Sequence, residues 1–195
     1  MTGNASSTPV LPKLGVPQYF FDDELISYHH KLTRRWMPAT VYPKPVVEPD
    51  KPWEPRILDL FGTVLEKTGG GYRMYYTGFT GIRTINLTVF GADSEDGCHW
   101  TKPELGIVEW NGSRANNISL DPDHRNDGPS VIFDPEDAEH PYKLVMFGRK
   151  DIFNKWGPDW GIYGYGSEDG LTWHRRKPEV MFVAGDRTNA MARKS

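Results

Sequence analysis

The sequence has almost no cysteine: Cys98 stands alone in 195 residues, so no internal disulfide can hold the fold together. Apolar runs are equally scarce. No stretch approaches the roughly 18 residues of a membrane-spanning helix, and membrane association is not expected. Residues 1–12 lack the apolar core of an export signal, which makes the cytoplasm the expected location. The four N-x-[ST] triplets, at Asn4, Asn86, Asn111 and Asn117, are then chance matches. Charge of one sign is missing too. Lys and Arg number 23 against 26 Asp and Glu, a net charge of -3, and they are interspersed apart from pairs such as Arg34-Arg35 and Arg175-Arg176. A nucleic-acid partner would call for a basic face, so none is expected. His29-His30 and Cys98-His99 are adjacent pairs that a strand would point to opposite sides, with no further ligands at metal-binding spacing. No metal site and no cofactor are expected.

What the chain does have is 13% aromatic residues, seven Trp, 20 Gly and 16 Pro. That mixture favours short strands and tight turns over long helices and indicates an all-β fold. Residues 1–12 are small and polar, a disordered lead. Residues 13–55, with the Pro-rich YPKPVVEPDKPWEP, read as an irregular strap laid over the domain that follows, held by Trp36, Val46, Val47 and Trp53.

From Arg56 onward the sequence repeats itself. FGADSEDGCHWTKPE (90–104) matches YGYGSEDGLTWHRRKPE (163–179), with Ser94 and Ser167, and Trp100 and Trp173, each 73 residues apart. GYRMYYTG (71–78) matches PYKLVMFG (141–148) at a spacing of 70. Each unit reads as four strands. They lie near GTVLEK or PSVIFD, at YRMYYTG or YKLVMFG, at INLTVFGADS or WGIYGYGS, and from Trp100 or Trp173 onward. Ser-Glu-Asp-Gly has hairpin chemistry, with Asp accepting backbone hydrogen bonds and Gly supplying a positive φ. A recurring four-stranded antiparallel unit of this size is a propeller blade. The expected organisation is blade one with its connecting loop over 56–125, blade two over 126–181, and the start of a third over 182–195. Two blades cannot close a ring, so the sequence is expected to be an N-terminal fragment of a partial β-propeller.

With the repeats in view, the chain resembles the five-bladed propeller superfamily of glycoside hydrolases that includes families 32, 43, 62 and 68. The S-x-D-G-x-x-W hairpins carry that likeness, together with NDGPSVIFDPEDAEHPYKLVMFG (126–148), which is similar to the opening of a family 43 blade. YFFDDELI, PDKPWE and YRMYY resemble more closely a large group of bacterial relatives of family 32. The resemblance implies a carbohydrate ligand and carboxylates at the inner ends of the first strands of successive blades. Glycosidic cleavage pairs one protonated with one ionised carboxyl group across the scissile bond.

Carried onto this sequence, Asp127 matches the helper that positions the sugar and tunes the acid. Asp59, before Leu-Phe-Gly-Thr-Val, or Glu54 in PWEP would serve as base, and Asp186 as acid. Each has a plain structural alternative: a turn residue for Asp127, an exposed strand residue for Asp59, and an Asp186–Arg187 surface pair. Arg187 could bind a carboxylate or sugar hydroxyls. Trp53 could stack a sugar ring or anchor the strap. Asn116 and Asn117, in the polar loop WNGSRANNI, and Trp160, near Trp156, could line the site or be buried. Asp96 and Asp169 recur with the hairpins and read as turn-formers; Trp100 and Trp173 read as blade core. Gly69-Gly70-Gly71 is a hairpin tip, and Gly164-x-Gly166 lies within a strand, so neither is a nucleotide loop.

Three functions follow in order of preference. The first is a glycosidase-like protein acting on an oligosaccharide or glycoside by acid–base carboxylate chemistry, with no cofactor beyond a cavity calcium that the sequence leaves open. The second is a non-catalytic carbohydrate-binding or interaction propeller. The third, a sialidase-like propeller, would need three clustered Arg that this sequence does not offer.

Overall fold

The computed structural model describes Gly15, Ile26 and residues 28–79, 88–120, 125–149 and 160–183; the side chains of Phe79, Arg149 and residues 125–127 lie outside the description. The chain divides into two compact units, Met1–Val41 and Tyr42–Ser195. In the first unit residues 28–41 are exposed. Trp36, expected to hold the strap, is 83% exposed; the charged run around it offers no apolar periodicity to bury.

The second unit is all-β, with no helix among the described residues. Among the described residues nine strands form two antiparallel sheets. The first contains β1 (Ile57–Glu66), β2 (Tyr72–Phe79), β3 (Thr88–Ser94) and β4 (Trp100–Thr101) in that order, with β5 (Ile118–Leu120) also paired to β3. The second contains β6 (Arg125–Phe133), β7 (Tyr142–Arg149), β8 (Gly161–Ser167) and β9 (His174–Arg175). The last strand of each sheet is a split one. β4 pairs with the Asp93–Ser94 end of β3 and β5 with its Val89–Phe90 end. In the second sheet β9 pairs with the Tyr165–Gly166 end of β8, one residue further in, and Phe182 bridges to Ile162, the counterpart of Val89. Residues 102–117 are thus an insertion in the first sheet, larger than its counterpart in the second.

The hairpin chemistry explains the lower turns. Ser94 Oγ accepts from Gly97 N (2.9 Å) and Asp96 Oδ1 from Cys98 N and His99 N (both 2.8 Å). Ser167 and Asp169 repeat this with Gly170, Leu171 and Thr172. Four residues are turned with their donors satisfied, which is why the same tetrapeptide recurs.

Strand alternation gives each sheet two faces. In the first sheet Met74, Tyr76, Phe90, Ala92 and Ile118 point one way, into a cluster covered by Val47, Trp53, Val108 and Trp110. Tyr75 and Val89 point the other way and meet Val131, Leu144, Met146, Tyr163, Tyr165 and Trp173 of the second sheet. By repeat spacing Leu144, Met146, Tyr163 and Tyr165 are the counterparts of Met74, Tyr76, Phe90 and Ala92. The second sheet therefore presents to the first the same face that the first presents to the strap. Stacking in one sense, front to back, is the packing of successive propeller blades; a two-sheet sandwich would bury only one face of each sheet. The chain is an all-β, partial propeller.

Bonds across the blade boundary fix the stack. Tyr75 OH donates to Gly170 O (2.6 Å), Trp173 Nε1 to Ser119 Oγ (2.9 Å), and Val131 N to Thr63 Oγ1 (2.9 Å). The last of these joins β6 to β1, so the first strands of the two blades lie side by side at the inner edge.

Candidate functional site

The inner edge is where the fold gathers chemistry. Asp59 on β1 pairs with Thr77 of β2, and the register then jumps to Thr63 opposite Tyr75. Asp127 on β6 pairs with Phe147 of β7, and the register jumps to Ser130 opposite Val145. Thr77 and Phe147 are 70 residues apart, as are Tyr75 and Val145, so Asp59 and Asp127 hold the same station in successive blades. Each stands immediately before a β-bulge, a device that re-aims side chains. The bulges differ: Gly128-Pro129 in the second blade, with Gly128 at φ 55°, against Leu60-Phe61-Gly62 in the first.

Cross-strand partners share a face, so Asp59 lies on the Thr77 face, the one turned toward the second blade. Asp59 is half-buried. Its backbone carbonyl accepts from Thr77 Oγ1 (3.2 Å), a bond that ties the residue to β2 without using the carboxylate, which has no hydrogen-bond or ion-pair partner among the described residues.

Glu54 is placed otherwise. Its side chain is 0% exposed and its carboxylate accepts from Tyr76 OH (2.6 Å), Lys102 Nζ (2.7 Å), and the backbone N–H of Asp50 and Lys51 (both 3.1 Å). Lys102 Nζ also reaches Asp50 Oδ1 and Glu48 O (both 2.6 Å). The neighbouring Tyr76 hydroxyl is pushed up in pKa by burial first and by Glu54 second, so it stays a donor. These donors lock the strap to the first blade.

Trp53 belongs to the same lock. Its Nε1 donates to Asn117 Oδ1 (2.7 Å), and its ring meets Trp110 edge-on with centroids 6.1 Å apart. Asn117 is 0% exposed and donates to Tyr76 OH (2.7 Å) and Gly91 O (2.9 Å). Asn116, 2% exposed, donates to Val108 O (2.8 Å) and accepts from Ile118 N (2.9 Å). Both amides are engaged inside the protein, Asn116 at the base of the insertion and Asn117 between the strap, β2 and β3. Trp160 packs its ring against Phe147, centroids 4.9 Å apart, beside the station of Asp127. Asp186 and Arg187 lie outside the described residues.

The structure thus brings Asp59 and Asp127 to equivalent inner stations and gathers Glu54, Trp53 and Asn117 into one buried network between the strap, the first blade and its insertion. Sequence reasoning overlooked the network itself. Its signal was in the repeat: Met146 of the second blade is replaced by Tyr76 in the first, and a buried hydroxyl demands partners.

No family model matches the chain, and no curated protein is similar to it. Among solved structures, a candidate glycoside hydrolase from Bacteroides ovatus matches with 22% identity and a TM-score of 0.31, over 56% of this chain and 28% of that one. A structure from the GH130 family of mannoside phosphorylases, which contains glycoside hydrolases that target β-1,2-mannosidic linkages in Candida mannan, matches with 18% identity and a TM-score of 0.31, over 57% and 28%. An exo-β-1,3-galactanase from Phanerochaete chrysosporium, solved with β-1,3-galactotriose, matches with 16% identity and a TM-score of 0.34, over 59% and 25%. The chain spans about a quarter of the length of these structures.

Proposed function

We propose that the inner edge of the two blades forms part of a glycoside-binding centre with acid–base carboxylate chemistry, in which Asp59 and Asp127 are the working groups. The observation that supports this is their common station on adjacent first strands, each before a bulge. The same repeat sets the two aspartates on neighbouring first strands, and on this proposal their carboxyl groups meet one ligand from two sides, the arrangement glycosidic cleavage requires. In this reading Asp59 acts as base or nucleophile and Asp127 orients the sugar. The acid falls to Asp186, with Arg187 beside it to bind hydroxyls, both on the sequence argument alone. Glu54, Trp53, Asn116 and Asn117 serve the framework, because each of their polar groups is already engaged inside the protein.

The test is a screen of chromogenic glycosides with the chain and its Asp59→Asn and Asp127→Asn variants. Removing a group that transfers or steers a proton lowers kcat/KM by roughly 10²–10⁴-fold. Turnover equal to that of the parent in both variants would remove the pair from the mechanism. A second reading, binding without hydrolysis, is favoured by the saturation of Glu54, which leaves Asp59 the one candidate carboxylate side chain described at the inner edge. It predicts glycoside binding with no turnover, and binding that survives Asp59→Asn.

A further inference from the structure

The strap changes character at Val47. From there on Asp50, Trp53 and Glu54 tie it to the first blade. Residues 28–46 are exposed throughout, and their largest apolar side chains face solvent: Leu32 is 73% exposed, Trp36 83%, Met37 and Val41 85%. The same stretch holds Lys31, Arg34, Arg35 and Lys44 and no acidic residue, so its charge is +4. The rest of the chain then has 19 Lys and Arg against 26 Asp and Glu, a net charge of -7. Large apolar side chains exposed together with charge of one sign mark a segment built to bind.

The opposing charge is gathered at one end of the blades. Glu66, Tyr72, Ser94 and Trp100 stand side by side in the first sheet, and Phe133, Tyr142 and Ser167 in the second. The blades stack in one sense, so their four hairpin turns share this end. Residues 66–73, 93–99, 133–143 and 167–173 hold ten Asp and Glu against Lys67, Arg73 and Lys143, so all of the -7 sits here and the other charges of the blades cancel. Glu95, Glu136 and Glu168 are exposed. Tyr72, 37% exposed, and Phe133, 39% exposed, offer apolar contact among them. Tyr42, near the root of the basic stretch, meets His99 of the β3–β4 turn edge-on, centroids 6.5 Å apart. The stretch is therefore rooted at the acidic end.

We propose that residues 28–46 form an arm that docks on the acidic turn end of a second copy of the chain, the two copies exchanging arms. Charge decides among anionic partners. A lipid or nucleic-acid surface that attracts the arm repels the -7 at its root, whereas a second copy presents that same field as the binding surface. Because arm and surface lie at one end, the contact is isologous and closes at two copies. Each arm, at +4, offsets more than half of the -7 on the end it covers, so the two ends can face each other. Residues 28–41 span up to roughly 45 Å when extended, enough to cross two blades stacked about 10 Å apart.

The experiment is sedimentation velocity over a micromolar concentration series at low and high salt. A dimer is expected whose dissociation constant rises roughly tenfold or more with salt. Lys31→Glu/Arg35→Glu and Glu95→Lys/Glu136→Lys should each weaken it by about the same factor. All four substitutions in one chain should dimerise more tightly than either pair, because the reversed arm then meets reversed acids; damage to the fold would not produce that recovery. Trp36→Ser/Met37→Ser should weaken the dimer at both salt concentrations, since apolar contact is not screened. A chain that stays monomeric at every concentration, a dimer indifferent to the arm variants, or a quadruple variant no stronger than either pair would overturn the proposal. So would binding to phosphatidylserine vesicles or to a single-stranded oligonucleotide that is tighter than self-association and lost in Lys31→Glu/Arg35→Glu, which would assign the arm to that surface.

Discussion

Val64 in the first blade and Val131 in the second occupy the same station, opposite Met74 and Leu144, yet Val64 is 41% exposed and Val131 1%. The difference lies in the cover. The second blade lays this face on the back of the first, where Val131, Leu144, Met146, Tyr163, Tyr165 and Trp173 interlock with Tyr75 and Val89. Among the described residues, the first blade has a strap and an insertion laid on its copy of the face, and these shield Met74, Tyr76, Phe90 and Ala92 while missing Val64. The chemistry of the two covers differs accordingly. Met146 is sealed by apolar neighbours, whereas Tyr76, its counterpart, ends in a hydroxyl held by Glu54 and Asn117. A blade is specified by its repeated strands and turns; how its outer face is closed is specified by sequence that does not repeat.

The sharpest way to break this contrast is to unpin the strap. Lys102→Met removes the cation from a Glu54 carboxylate that has no exposure, and stranding one member of a buried pair costs about 3–5 kcal/mol. Urea denaturation should show that loss, with intrinsic fluorescence of Trp53 and Trp110 changing first. Tyr76→Met, which copies the second blade's solution, should still destabilise by about 1–3 kcal/mol, because Glu54 and Asn117 each lose a partner. A neutral Tyr76→Met would mean that the polar lock contributes nothing.

The fold class was legible because it rests on features the sequence writes twice: the Ser-x-Asp-Gly-x-x-Trp turns 73 residues apart and the aromatic second strands 70 apart. Asp59 and Asp127 were legible as candidates, with Asp59 near the place in the first blade that Asp127 holds in the second, but their exact register was not, because the β6–β7 turn is three residues longer than the β1–β2 turn and the β6 bulge one residue shorter, which makes their spacing 68 and not 70. Glu54, Asn116 and Asn117 were read toward a ligand since polar residues in irregular, Pro-rich segments carry no periodicity that assigns them a partner. Only the folded chain shows that Trp53 and Asn117, 64 positions apart, close on each other. β5 escaped notice for the same reason: three residues at the end of a polar loop have no alternation to reveal them.

The valine pair offers a finer test of the covers. Val131→Ala should cost about 1.5–2.5 kcal/mol from the lost methyl groups and the cavity they leave between the blades. Val64→Ala, at the same station of the other blade, should stay within about 0.5 kcal/mol, as surface substitutions do. Equal losses in thermal denaturation would show that the first blade's face is closed in solution by something the strap and insertion do not supply.

The smallest effect concerns the two turns, which share hydrogen bonds but not surroundings. Asp169 sits beneath Tyr75, whose hydroxyl bonds to the adjacent Gly170. Burial there pushes the Asp169 carboxyl up, while bonds from Thr172 N, Leu171 N, Ser167 Oγ and Thr172 Oγ1 outweigh it and hold the group below its ordinary value. Asp96 is also held low, by the His99 side chain first and then by the backbone N–H of His99 and Cys98, but in the open. A carboxyl depressed on folding adds stability that is fully present above its unfolded value near 3.9 and is lost as pH falls through the lower folded value. Asp169→Asn should therefore lower the melting temperature at pH 7 and flatten its decline below about pH 4. Asp96→Asn should do the same more weakly, and less again in high salt, since its His99 partner is solvent-exposed and screened. Were the two variants to give superimposable pH profiles, contact with the neighbouring blade would add nothing to the turn, and the covers would differ only in the polar lock at Tyr76.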